Sequence, residues 1–150
     1  MHLTARVSPE EHRTVAAWTT PEELALFDAQ HVADRRHGLA VVAWLRHAGV
    51  TDRDVLVAGL LHDCAKGDTG AGPRIAWSLG ERFGPGVMGP ARLVPGWAAA
   101  LDRLRDHADA SADALAATGL SARAVDIVRH QSDPADPECG RVFRAADEAC

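Results

Sequence analysis

Lysine is almost missing from this 150-residue chain: of its 16 basic residues only Lys66 is not arginine. Cysteine is scarce as well. Cys64, Cys139 and Cys150 are odd in number and widely spaced, which argues against a disulfide framework and fits a reducing cytoplasm. No stretch is apolar for long enough to span a membrane, and the opening run from Met1 to Glu11 holds no apolar segment of signal-peptide length. There is no excess of positive charge. A net charge of -5 argues against non-specific binding to nucleic acid or an anionic membrane, and leaves room for a small phosphorylated substrate held by a few local cations. Internal repeats, low-complexity tracts and alternating strand patterns are absent too.

What is present reads as a single all-α domain over residues 1–150, a compact bundle of about six to eight helices. Ser8-Pro9-Glu10-Glu11 and Thr20-Pro21-Glu22-Glu23 are capping boxes with proline at the first helical position. They predict two helices, the second running to about Val32. Residues 1–33 read as helical scaffold, with His2 and His12 at the surface. Asp34-Arg35-Arg36-His37 opens the next helix, whose stripe of Ala40, Val41, Trp44, Leu45 and Ala48 runs back to His37. His47 falls off that stripe. Gly49 ends the helix, and Thr51 or Asp52 caps the one after it.

Residues 67–96 are rich in glycine and proline, with one short helix from about Pro73 to Phe83. Such an insertion is either a substrate lid or a surface connection. A long helix follows from Trp97 to Thr118, with His107 beside its apolar face. Gly119 ends it, and Ser121 caps a helix in which Ala124, Ile127 and His130 recur every three residues. The last helix, from about Glu138 to Ala149, turns Val142, Ala146 and Ala149 inward and carries Asp147 four residues after Phe143. Trp18, Trp77 and Trp97 are candidates for the core or for a homodimer interface.

The centre of the chain is the run from Val55 to Gly67. It begins as an apolar helix expected to be buried on all sides and ends in His62, Asp63 and Lys66. A buried imidazole and carboxylate need partners, and a metal ion satisfies both. The plainer reading is a helix end at which Asp63 caps or pairs with arginine and His62 hydrogen-bonds locally. Lys66 is either a point charge for a phosphate or a solvated residue favoured by the helix dipole. Taken singly, His37, His107, His130 and Asp147 also read as core or paired residues. Together, His37, His62, Asp63, His107, His130 and Asp147 place a metal-competent group on or beside an apolar face of each of five helices, and a shared metal is the common solution.

In order and context, these residues resemble the HD-domain metal-dependent phosphohydrolases. The resemblance runs from about Asp34 to Asp147. Leu60-Leu61-His62-Asp63-Cys64-Ala65-Lys66-Gly67 is similar to the family's Leu-Leu-His-Asp-Ile-Gly-Lys signature, with Cys64-Ala65 in place of Ile-Gly. His107-Ala108-Asp109-Ala110-Ser111 is similar to the His-Pro-x-x-Gly segment of two-metal members, with Ala108 in place of proline. Val128-Arg129-His130-Gln131 and Ala146-Asp147-Glu148 match the closing histidine and aspartate.

The resemblance implies an HD-domain-like fold and a divalent metal centre of two ions, iron or manganese, with magnesium, nickel, cobalt or zinc as further options. His37, His62, Asp63 and Asp147 would hold the first ion, and Asp63 would bridge to a second held by His107 and His130. Asp63 and Lys66 would be catalytic, and Lys66, Arg35 and Arg36 would bind the substrate phosphate. The implied activity is hydrolysis of a phosphoester or phosphoanhydride of a nucleotide-like substrate, the short two-metal form being nearest to enzymes that split dinucleoside polyphosphates. Residues 67–96 are longer than those enzymes have. Two other functions fit the same ligands: a di-iron oxygenase of the same superfamily, and a non-catalytic helical module that binds metal or nucleotide.

Overall fold

The computed structural model describes residues 6–84, 86 and 88–150. Among them are nine helices and no strand: α1 (Pro9–Ala16), α2 (Pro21–Ala29), α3 (Val32–His47), α4 (Arg53–Leu61), α5 (Ala71–Phe83), α6 (Met88–Arg92), α7 (Trp97–Ala117), α8 (Ala122–Arg129) and α9 (Gly140–Ala149). The architecture is a compact all-α fold. The extra element relative to expectation is α6, a single short turn of helix in the Gly/Pro-rich region. His2 lies outside the described residues. No described helix is long and apolar enough to cross a membrane.

Local chemistry sets most boundaries. Ser8 and Thr20 accept the N–H groups of Glu11 and Glu23, whose carboxylates return to the caps, as the capping boxes require. The second helix stops at Ala29, short of Val32, because Gln30 is extended (φ −67°, ψ 151°). His31 then caps α3 by accepting the Ala33 N–H on its ring nitrogen, so Asp34 falls inside the first turn. Asp52 and Ser121 cap α4 and α8. Gly49 and Gly119 take φ values of 88° and 82°, a left-handed conformation that glycine adopts without strain. The last helix starts later than Glu138, since the Asp136 carboxylate takes the Glu138 and Cys139 N–H groups and is itself held by Arg123. Phe143 and Ala146 form its buried face, and Ala149 is exposed.

Helix α4 is the axis of the fold, packed against α2, α3, α7, α8 and α9. Every residue from Val55 to Leu61 is buried, as its unbroken apolar run predicts. Burying each large aliphatic side chain contributes about 1.5–3 kcal/mol, so this helix alone offsets the several kcal/mol that desolvating a polar pair at its end costs. Helices α3 and α4 meet backbone to backbone: a Cβ on Gly38 would collide with the Leu60 carbonyl oxygen. That close approach brings the α3 side chain of His37 level with the end of α4.

Candidate metal centre

His62 closes α4 as its C-cap, in helical geometry (φ −55°, ψ −24°), and Asp63 to Lys66 form the turn that follows. The turn is tied to α7 by the Ala65 N–H, which donates to the Ser111 hydroxyl at 3.0 Å. His62 is 1% exposed and Asp63 3%. His62 Nδ1 donates to the Gly59 carbonyl at 3.0 Å. A carbonyl only accepts, so Nδ1 carries the hydrogen and Nε2 is the ring nitrogen that faces the site. Phe143 from α9 meets the His62 ring edge-on, with centroids 5.8 Å apart.

His37 of α3, His62 and Asp147 of α9 converge. Asp147 Oδ1 lies 2.9 Å from His37 Nε2 and 3.1 Å from His62 Nε2, and the three ligand atoms lie within 4.8 Å of one another. Two donors bound to one ion at about 2.1 Å, at angles near 90–109°, stand about 3.0–3.4 Å apart. The two carboxylate-to-imidazole spacings are close to that, and imidazole, imidazole and carboxylate form a sound donor set for a divalent transition ion. The chemistry also asks for positive charge here. His62 Nε2 faces Asp147 Oδ1 and, at 3.6 Å, Asp63 Oδ2, so only a proton or a cation removes the conflict between acceptors.

The charge balance among these groups reflects the same conflict. Burial opposes a charged His62, yet the charges of Asp63 and Asp147 outweigh burial and raise its pKa. Burial likewise opposes a charged Asp63, while His62, His107 and Lys66 hold its carboxyl well below the usual range. For Asp147 burial is overcome by the hydrogen bonds of His37 and His62, and its pKa is lowered. Both aspartates therefore stay ionised at neutral pH, the form that binds metal. Asp147 and His37 are 31% and 23% exposed, so the cluster opens to solvent on their side.

The remaining expected site residues divide. Asp63 lies beside the cluster: its Oδ2 accepts from Lys66 Nζ at 2.6 Å, and its Oδ1 faces His107 Nε2 at 3.4 Å. His107 thus joins the group from α7. His130 does not share in these contacts. Helix α8 ends at Arg129, and His130, its C-cap, leaves helical geometry (φ −109°, ψ 31°), so the three-residue spacing that aligned it with Ile127 no longer applies. Its side chain is 55% exposed and its Nδ1 rests on Asp126 Oδ1 at 3.1 Å. Arg36 pairs with Glu11, and Arg35 Nη1 stands 3.9 Å from Asp28 Oδ1.

Two features escaped the sequence reading. Gln131, 9% exposed, reaches His107 Nε2 with its side-chain nitrogen at 2.7 Å. Pro134 was a partial signal, since it disfavours helix at Asp133 and so puts His130 within one turn of where the helix has to stop. The other is Arg74 of α5. It makes two hydrogen bonds of 2.6 and 2.7 Å to the buried Asp34 carboxylate and others to Thr69 and the Gly67 carbonyl. This clamp ties the Gly/Pro-rich region to α3.

Fold and site together define an all-α protein with a possible His37–His62–Asp147 metal site. Comparison of the chain with family models, with curated proteins and with solved structures returns no match.

Proposed function

We propose that the chain is a divalent-metal-dependent phosphohydrolase acting on a small, nucleotide-like phosphorylated substrate. The observation that carries this reading is the convergence of His37, His62 and Asp147 on one point, with Lys66 on the adjoining Asp63. The order and contexts of these residues, which resemble the HD-domain phosphohydrolases, add support. His37, His62 and Asp147 would hold a divalent ion, which would supply Lewis acidity toward a phosphoryl oxygen and acidify a water.

The chain's own groups would do the rest. His62 keeps its metal-facing nitrogen aimed by its bond to Gly59, and Phe143 excludes water from the ring's edge. Asp63, whose carboxyl is held well below the usual range, stays ionised and positions Lys66. Lys66, 24% exposed and held beside the cluster by Asp63, would offset charge on a phosphate bound there. Hydrolysis would form a bond from a water oxygen to phosphorus and break the bond to the leaving oxygen in line, the proton lost by the water passing through solvent from the open side to the leaving oxygen.

A non-catalytic metal-binding module is the second reading. It is favoured by the engagement of Lys66 and Arg36, each of which already holds a carboxylate. One experiment separates the two. Protein purified without chelator or added metal is analysed for metal content and assayed on a panel of phosphomonoesters and dinucleoside polyphosphates, beside Asp147→Ala. The phosphohydrolase reading expects at least about one ion per chain and a loss of both metal and hydrolysis in the variant, of about 100-fold or more. Bound metal without turnover on any substrate supports the module. Hydrolysis that survives metal loss overturns the proposed site.

A further inference from the structure

Helix α5 carries two stripes of residues spaced by four, and the fold covers the one with less to bury. Gly72, Ala76 and Gly80 lie on one line of the helix and meet the rest of the chain. A Cβ on Gly72 would collide with the Trp97 ring, and one on Gly80 with the Met88 thioether. Ile75, Leu79 and Phe83 lie on a neighbouring line and face water, at 60%, 41% and 67% exposure. Small residues thus line the packed side, while the large ones, whose burial stabilises most, stand outside. The turn after α6 adds Leu93 and Val94, exposed as well. At roughly 200 Å² for each large side chain, the open stripe leaves about 300 Å² of apolar surface in water and the whole region about 500 Å². That is the size of the largest apolar patch on a monomer, and such patches are often functional. With the polar side chains beside it, the face approaches the roughly 800 Å² per partner of a stable interface.

The chemistry of the face selects its occupant. An anionic membrane calls for free cations, yet Arg74 and Arg92 already pair with Asp34 and Asp102, and the chain carries a net charge of -5. A bound peptide calls for a groove, whereas these side chains stand out from a single helix. The two best-formed hollows among the described residues lie elsewhere, lined by Leu120 and Val125 or by Thr14 and Leu39. A ridge of this kind fits a like ridge. Three apolar positions spaced by four are centred on Leu79, so a two-fold axis there makes the stripe its own complement. With the helices antiparallel, Leu79 meets its own counterpart and Ile75 meets the partner's Phe83, a smaller side chain against a larger one. Ridges spaced by four interlock in the commonest class of helix packing, with crossing angles of about 50°. Arg82, whose guanidinium lies 5.8 Å from the Phe83 ring, stays at the rim. It and its counterpart then stand about 9 Å apart along the helices, so their charges do not oppose the contact.

We infer that two copies of the chain associate through this face of α5, each seating Ile75, Leu79 and Phe83 against the other about a two-fold axis near Leu79. The partner then extends the small core formed by Ala76, Ala91, Leu101 and Leu104. The association needs no metal and stands or falls apart from the proposed hydrolysis.

Sedimentation equilibrium of the full chain, from micromolar concentration upward and without added metal, tests this. The unaltered protein should sediment at twice its 15.9 kDa. Leu79→Arg sets like charges against each other on the axis and should weaken association at least about 100-fold. Replacing both Ile75 and Phe83 by serine should weaken it at least about tenfold. Circular dichroism equal to that of the unaltered chain assigns either loss to the interface. Should Leu79→Arg unfold, the paired serine variant decides, since both of its positions are more than half exposed. Cross-linking reads the geometry. In a Cys150→Ser background, Leu79→Cys should oxidise to a disulfide-linked dimer. Ile75→Cys should not, because the two copies of residue 75 stand about 12 Å apart along antiparallel helices. A monomer at all concentrations overturns the inference, as does a monomer that sediments with phosphatidylserine vesicles, which would give the face to a membrane. A dimer that every one of these substitutions leaves intact overturns the assignment to α5. Equal cross-linking through positions 75 and 79 overturns the antiparallel two-fold arrangement.

Discussion

Among the described residues, nineteen buried apolar side chains pack around α4 and its neighbours, while four (Ala76, Ala91, Leu101 and Leu104) hold α5 and α6 against α7. Surface character follows the same division. Ile75, Leu79, Phe83, Leu93 and Val94, the large apolar side chains most open to water among the described residues, all belong to residues 75–94. The body that carries His37, His62 and Asp147 is thus built on a deep core, and the α5–α6 region on a shallow one. The difference has a physical reason. Burying His62 and Asp63 is expensive, and the core around α4 has hydrophobic burial enough to offset it. The shallow region is attached chiefly by the small cluster and by the Arg74–Asp34 clamp.

Breaking the deep half should have the largest effect. Gly38→Ala sets a methyl group against the Leu60 carbonyl, where neither backbone can give way. A stability loss of at least about 2 kcal/mol is expected even after alanine's better helix propensity is counted, together with weaker metal binding. Urea denaturation and a metal titration check both. A stable variant with normal metal affinity would mean that the two helices do not meet as tightly as described.

Loosening the shallow half should cost less and leave the site intact. Asp34→Asn removes the charge that pairs with Arg74, a guanidinium about a quarter exposed, and is expected to cost about 1–2 kcal/mol. Limited proteolysis should then cut within residues 67–96 faster, while metal affinity stays unchanged. Equal loss of stability and metal would show that the two halves act as one unit.

The smallest effect is expected at Glu11, at the edge of the scaffold. The Ser8 backbone N–H, and then Arg36, hold its carboxyl down to about 2 from an ordinary 4.5. A folded-state pKa below the unfolded one contributes stability that is present above pH 4.5 and lost as pH falls toward 2. Both partners face water, so Glu11→Ala should cost no more than about 1 kcal/mol at neutral pH. The gap between variant and parent, followed by urea denaturation, should shrink between pH 4.5 and 2; a constant gap would assign the loss to packing.

Helix starts and stops were legible because they are local events. Ser8, Thr20, Asp52 and Ser121 cap through side chains that reach no further than three residues, and Gly49 and Gly119 end helices through their own φ. The buried α4, with His62 and Asp63 at its end, was legible as well, since an unbroken apolar run has nowhere to go but the core. Which ligands actually meet was not. His37, His62 and Asp147 come from three helices, and their spacing depends on how closely α3 approaches α4 and on where α9 crosses them. His130 shows the limit most clearly: helical periodicity placed it beside Ile127, but one residue of lost helix turned it to solvent and left the buried position to Gln131. Sequence alone determined the elements and the chemistry they carry, because caps, turns and apolar periodicity act over a few residues. Only the tertiary structure decided which of those groups share a site, because convergence is a property of helix crossings that no local pattern encodes.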